Sequence, residues 1–179
     1  MMNQYKGTQT EQNLTEAYAI ESKARNKYTF FATTAQREGY EQIADLFLKT
    51  ADNEREHAEM WFSELGGIAD TVQNLQSAAQ DEKKEWSEMY EQFAAQAEKD
   101  GFHELAEKFK AVAQIEKTHE QRFQKLIQNI QNSEVFKKEC EHTWECRACG
   151  HRLTGQDTPL TCPVCSHPQS FYQLVCENY

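Results

Sequence analysis

Seven side chains stand where amphipathic helices normally carry apolar residues: Glu21, Glu54, His57, Glu82, Glu85, Glu116 and His119. Each falls inside a stripe of apolar residues spaced three and four apart. A carboxylate in a helix core is costly unless a positive charge meets it. No basic residue recurs on these stripes. A metal supplies the missing counter-charge, and seven oxygen and nitrogen ligands suffice for two ions.

The stripes define the helices. No proline precedes Pro159, and Gly39, Gly66, Gly67 and Gly101 divide the first part of the chain into four periodic segments. The first carries Leu14, Ala17, Glu21, Ala24, Tyr28 and Phe31, and the second Ile43, Phe47, Thr50, Glu54, His57 and Trp61. On the third lie Leu75, Ala78, Glu82, Glu85, Met89 and Phe93; the fourth runs through Leu105, Phe109, Val112, Glu116, His119, Phe123, Leu126 and Ile130. Four long helices with one stripe each predict a mainly α chain with a four-helix bundle over residues 1–132. From Ser133 onward cysteine, proline and short apolar pieces replace the helical period, so residues 133–179 read as a small second domain. A segment that short buries little core and needs a staple.

The bundle contains a repeat. Glu54-x-x-His57 recurs as Glu116-x-x-His119, and an i, i+3 pair presents both side chains on one helix face. Glu21 lies 33 residues before Glu54, and Glu82 lies 34 before Glu116. Two such hairpins, related by approximate two-fold symmetry, predict a di-metal carboxylate site. Glu85 has no counterpart in the first hairpin. Two ferrous ions match four glutamates, whereas two ferric ions with a bridging hydroxide match five. Exchange of Glu85 for neutral His57 on one iron upon reduction is the expectation that follows. The alternative role for Glu85 is a hydrogen bond to a ligand. Tyr28 and Tyr90 are placed either to orient carboxylates or donate to bound oxygen, or simply to pack.

All six cysteines lie between Cys140 and Cys176. Cys146-x-x-Cys149 and Cys162-x-x-Cys165, with twelve residues between the pairs, form two knuckles that close a tetrahedral S4 site. Zinc and iron both suit it; a redox-active di-metal site nearby in sequence favours iron, which passes one electron at a time. Cys140 and Cys176 remain as free thiols or, less favoured in a reducing compartment, a disulfide. His103, His142, His151 and His167 have no partnered spacing.

A formal charge of −10 argues against nucleic acid and anionic membranes as partners. The opening Met1-Met2-Asn3-Gln4-Tyr5 lacks the grammar of a secretory leader. No stretch reaches the roughly 20 apolar residues of a membrane span. With metal-type cysteine spacing, these features predict a cytoplasmic location.

The assembled residues resemble the rubrerythrin family over nearly the whole chain. The run Asp70-Thr71-x-x-Asn74-Leu75-x-x-Ala78-x-x-x-Glu82-x-x-Glu85-Trp86-x-x-Met89-Tyr90 is similar to the family's third-helix signature. The short gap between knuckles and the run Cys162-Pro163-Val164-Cys165-Ser166-His167-Pro168-Gln169 are similar to its rubredoxin-like domain. One departure is Glu91, where the family often has proline. The resemblance implies a ferritin-like di-iron bundle fused to a rubredoxin-like domain. Di-iron ligands would be Glu21, Glu54, Glu82, Glu85, Glu116 and His119, with His57 replacing Glu85 on reduction. Cys146, Cys149, Cys162 and Cys165 would hold a single iron, and zinc could occupy either site on isolation. It further implies a peroxidase that reduces hydrogen peroxide, fed by an NAD(P)H-dependent reductase or a rubredoxin-type donor. A homodimer is expected, on the reading that the two centres of one chain lie too far apart for fast electron transfer. Two other readings stand beside it: a ferritin-like protein that oxidises and handles iron with O2, and a zinc-stapled structural protein.

Overall fold

The computed structural model describes residues 4–176, so residues 1–3, on which the leader expectation partly rests, and 177–179 lie outside it. The chain is mainly α, with helical hairpins followed by a small three-stranded sheet that carries the cysteines. Two compact units, Met1–Asp70 and Thr71–Tyr179, divide it between the second and third predicted helices. Compactness therefore changes at a different place from the change of sequence grammar at residue 133.

In the first unit, α1 (Gln9–Arg37) and α2 (Glu41–Glu64) form an antiparallel hairpin. Thr8 caps α1 by accepting from the Glu11 N–H at 3.2 Å, while the Glu11 carboxylate accepts from the Gly7 N–H at 2.6 Å. The helix stops where Gly39 takes φ 84° and the Tyr40 N–H donates back to the Ala35 carbonyl at 2.8 Å. Buried Ala32, Ala35, Ala44, Ala51 and Ala58 line the seam, small enough for the helices to approach closely. Tyr28, Phe31 and Phe47 stack beside it with centroids 5.6–6.4 Å apart.

The second unit repeats this construction. Ala94, Ala97, Ala106 and Ala113 are buried 62 residues after Ala32, Ala35, Ala44 and Ala51. Tyr90, Phe93 and Phe109 form the matching aromatic group, with centroids 5.7–6.1 Å apart. Gly101 ends the first arm at φ 83°, and the Phe102 N–H returns to the Ala97 carbonyl at 2.8 Å. The return arm is α5 (His103–Gln131).

The first arm corrects the expectation of one regular helix. It runs as α3 (Thr71–Lys84), a π-turn over Glu85–Met89, and α4 (Tyr90–Lys99). Tyr90 follows Glu82 by eight residues, whereas Tyr28 follows Glu21 by seven. The extra residue is absorbed by an i→i+5 bond from the Tyr90 N–H to the Glu85 carbonyl.

The cysteine-bearing sheet has strand order β2-β1-β3, all antiparallel, with β1 Lys137–Cys146, β2 Arg152–Asp157 and β3 Tyr172–Leu174. Trp144, Cys146, Cys162 and Tyr172 make up its small core, and the Trp144 indole N–H donates to the Gly155 carbonyl at 3.0 Å. Among the described residues no helix is long and apolar enough to cross a membrane.

Gly101 can be tested directly. A Cβ there meets no neighbour, so the left-handed backbone is the sole objection to a side chain. Gly101→Ala should lower the unfolding free energy by about 1 kcal/mol, read from urea denaturation. An unchanged midpoint at unchanged slope would show that the turn does not need the left-handed conformation.

Candidate metal centres

Each hairpin brings together one glutamate from its first arm and the Glu-x-x-His pair from its second. Glu21, Glu54 and His57 each offer a ligand atom within 4.8 Å of the others, and Glu82, Glu116 and His119 do the same. His57 Nδ1 lies 3.0 Å from Glu54 and 3.9 Å from Glu21. His119 Nδ1 lies 2.7 Å from Glu116 and 3.6 Å from Glu82. The near-identical geometry follows from the repeated seam and turn, which set the arms in the same register. The six residues thus fall into two separate clusters, three on each unit.

The electrostatics of these groups expose an uncompensated site. A shared hydrogen bond with Glu54, then burial and the Glu54 charge, raise the pKa of Glu21. Burial, then the hydrogen bond and charge of Glu116, raise that of Glu82. Carboxylates holding protons against one another are what a cation site looks like before the cation's charge is counted. The donors are hard oxygens with one imidazole per triad, a set suited to iron.

Glu85 sits at the head of the π-turn and belongs electrostatically to the second triad. Burial, followed by the charges of Glu116 and Asp81, raises its pKa. The π-turn is what distinguishes the second hairpin, and its signal is present in the sequence as the spacing of 34 against 33 residues. Two residues that sequence reasoning passed over hold this turn against α5: the Trp86 indole N–H donates to Glu120 at 2.7 Å, and the Lys117 ammonium lies 5.0 Å from the Trp86 ring centre. Nothing in the local pattern singled out Glu120, because a glutamate beside His119 reads as surface.

Burial raises the pKa of the Tyr90 hydroxyl, with the charges of Glu85, Glu116 and Glu82 adding to it, which places it in the field of the carboxylates. Tyr28 is placed by its stacking on Phe31 and Phe47.

The four knuckle cysteines converge. Their sulfurs lie within 4.8 Å of one another, with Cys146–Cys165 and Cys149–Cys162 at 3.7 Å. A tetrahedron with metal–sulfur bonds of about 2.3 Å has edges of about 3.8 Å, so the cage already fits an ion. The two knuckles are built alike. Cys146 and Cys162 N–H groups donate to the carbonyls of His151 and His167 at 2.9 and 2.8 Å. Gly150 and Ser166 turn each loop at φ 76° and 61°. Burial alone would push the Cys162 thiol up, but the backbone N–H groups of Cys165 and Val164 and the Tyr172 hydroxyl bring it down to about 5. The His167 N–H favours the Cys165 thiolate, yet burial and the neighbouring sulfurs push that thiol up to about 12. Thiols pushed in opposite directions within one small cluster, Cys162 down and Cys149 and Cys165 up, mark a cage that a cation would settle.

Outside these sites, Cys140 and Cys176 are free and exposed. His103 pairs with Glu98, a contact its spacing did not signal, and His167 packs edge-on against Phe171.

Comparison with known proteins places both sites in one lineage. The family model for rubrerythrin matches residues 12–127, and that for the rubrerythrin rubredoxin-like domain matches residues 144–173. Rubrerythrin-1 of Clostridium acetobutylicum is 42% identical over 195 aligned residues, covering 99% of this chain and 100% of the relative. The rubrerythrin of Porphyromonas gingivalis is 41% identical over 192, covering 100% and 96%. A solved structure of nigerythrin in a partially reduced state is 29% identical with TM-score 0.35, covering 93% of this chain and 86% of that one.

The raised glutamates predict a sign. Between the unfolded glutamate value near 4.3 and their raised folded values, Glu21, Glu82 and Glu85 keep protons that the unfolded chain has lost. Their contribution to the stability of metal-free protein is therefore full below that unfolded value and is lost as pH rises through the folded ones. Thermal melts of chelator-treated protein between pH 4.5 and 7 should show it, and Glu82→Gln should flatten the dependence. Glu82→Gln retaining the whole slope would mean these carboxylates are not its source.

Proposed function

The chain belongs to the rubrerythrin family, and from that premise we propose that it is a non-haem di-iron peroxidase reducing hydrogen peroxide to water, with electrons relayed through the iron of its cysteine centre. The observation that carries this reading is the pairing of two equivalent Glu–Glu–His triads with an S4 cage in one chain. The family membership makes the chain an oxidoreductase of this type; the substrate, the donor and the residue roles are our proposal. Residues 1–132 act as the di-iron part and 133–179 as the electron-delivering part.

In this proposal Glu21, Glu54, Glu82, Glu85, Glu116 and His119 would hold the oxidised di-iron centre, and His57 would stand in for Glu85 on reduction. Bound iron supplies two one-electron steps, and the net reaction consumes one hydrogen peroxide, two protons and two electrons to give two waters. The protein's residues manage charge and protons. A neutral imidazole at His57 and an anionic carboxylate at Glu85 give the site a choice of net charge as its electron count changes. Released Glu85, whose burial and acidic neighbours favour the protonated acid, can hold a proton at its carboxyl. The Tyr90 hydroxyl, kept protonated by the same surroundings, is a donor toward substrate oxygen. Tyr28 is the corresponding tyrosine of the first triad's hairpin and is proposed as a second hydroxyl donor.

At the relay, Cys146, Cys149, Cys162 and Cys165 hold one iron, which takes electrons from an NAD(P)H-dependent reductase or a rubredoxin-type donor. A homodimer brings the cysteine centre of one subunit near the di-iron site of another. The acidic chain has no use for nucleic acid or membrane, and its chemistry suits the cytoplasm.

Mixing anaerobically reduced protein with hydrogen peroxide tests the activity. Rapid stoichiometric oxidation, much faster than with O2, is expected. Preference for O2 with growth of a mineral would replace the peroxidase by ferritin-like iron oxidation, and a colourless, zinc-loaded cysteine site would remove the relay. In the same assay, Cys162→Ser should abolish turnover with a reductase yet preserve one round of peroxide reduction by chemically reduced protein. Loss of both would make the cysteine module a structural staple.

A further inference from the structure

Tyr172 is buried beside the cysteine cage, and neither the ligand set nor the relay accounts for its hydroxyl. It lies at 4% exposure on β3, paired across the sheet with Cys146 and packed with Trp144 and Cys162. Its oxygen is buried and has no partner at full hydrogen-bond geometry, although its nearness favours a thiolate on Cys162. Leaving such a hydroxyl unsatisfied is costly, and phenylalanine would fill the same space without that cost. The acceptor that its buried cluster offers is the Cys162 sulfur, whose charge adds to burial in raising the pKa of the Tyr172 hydroxyl. A neutral thiol is a weak acceptor, whereas a metal-bound thiolate carries charge and accepts strongly.

We propose that Tyr172 is a positioning residue of the cysteine centre: once an ion holds Cys162 as thiolate, the Tyr172 O–H donates to Cys162 Sγ and raises the reduction potential of bound iron. The inference deepens the relay reading and rests on it. With four thiolates the ferric centre carries one net negative charge and the ferrous centre two. Reduction adds one electron and no proton, and the phenolic hydrogen stays on Tyr172. A hydrogen bond to sulfur stabilises the more negative, reduced state and so favours electron uptake. The backbone N–H groups of Cys165 and Val164 already favour the Cys162 thiolate; the Tyr172 hydroxyl adds a side-chain donor within the same buried cluster.

The test uses the full chain with iron in the cysteine centre and compares wild type with Tyr172→Phe by redox titration of the ferric–thiolate absorption. The variant should hold iron normally and show a reduced-to-oxidised ratio about tenfold lower at the same poise, a fall of about 59 mV for one electron. An unchanged or higher potential overturns the proposal. A second measurement is independent of both the variant's folding and the relay reading. In wild-type protein loaded with cadmium-113, the Tyr172 hydroxyl proton should show a through-bond coupling to the metal by way of Cys162 Sγ. Absence of that coupling overturns the hydrogen bond, whereas its presence in a protein that is purified only with zinc would sink the relay and leave the hydrogen bond standing.

Discussion

Carboxylates without basic partners on inward helix stripes are the constraint from which the rest of this structure follows. Glu21 and Glu82 are pressed against a second glutamate and raised by it, with only an imidazole in opposition. A helical hairpin that carried such residues for stability alone would gain by replacing them with leucine. Their retention makes sense only if a cation completes the site. The hairpin is then shaped to hold them: an alanine seam sets the distance between arms, a left-handed glycine sets the register, and an aromatic group fills the space beyond.

Symmetry and its single breach carry the chemistry. The seam, turn and aromatic group recur after 62 residues, so the two triads are built to one plan. One additional residue in the second hairpin is taken up by the π-turn, and Glu85 stands at its start. A regular helix has no room for an extra residue without rotating everything after it by about 100°. The π-turn confines that rotation to one turn, returning Tyr90, Phe93 and Ala94 to the face their counterparts occupy. Trp86 and Glu120 bind this irregular stretch to the neighbouring helix, so its shape is set by tertiary contact rather than local preference.

The cysteine module answers a different problem. Its core amounts to Trp144, Cys146, Cys162 and Tyr172 with Leu153 and Cys165 packed against them. So small a core relies on metal for much of its stability. Sulfur separations of 3.7 Å show that the knuckles and strands alone bring the ligands to the edge length a metal requires. Two of the four core residues are ligands, so the folding and the loading of this module are one equilibrium.

The four helical rods, the change of grammar at residue 133, both Glu-x-x-His pairs and the S4 knuckles were legible from residue spacing, because each depends on a local period or loop length. Glu85 was legible as an exception, though its cause was not: the one-residue excess was visible, but only hydrogen bonding between Tyr90 and Glu85 decided that a π-turn absorbs it. Likewise the pairing of Trp86 with Glu120, the placing of Tyr90 in the field of the carboxylates, and the enclosed hydroxyl of Tyr172 arise where distant segments meet. Periodicity tells which face of a helix or strand a side chain occupies; which atoms wait across from it is settled by packing between segments, and no spacing rule encodes that.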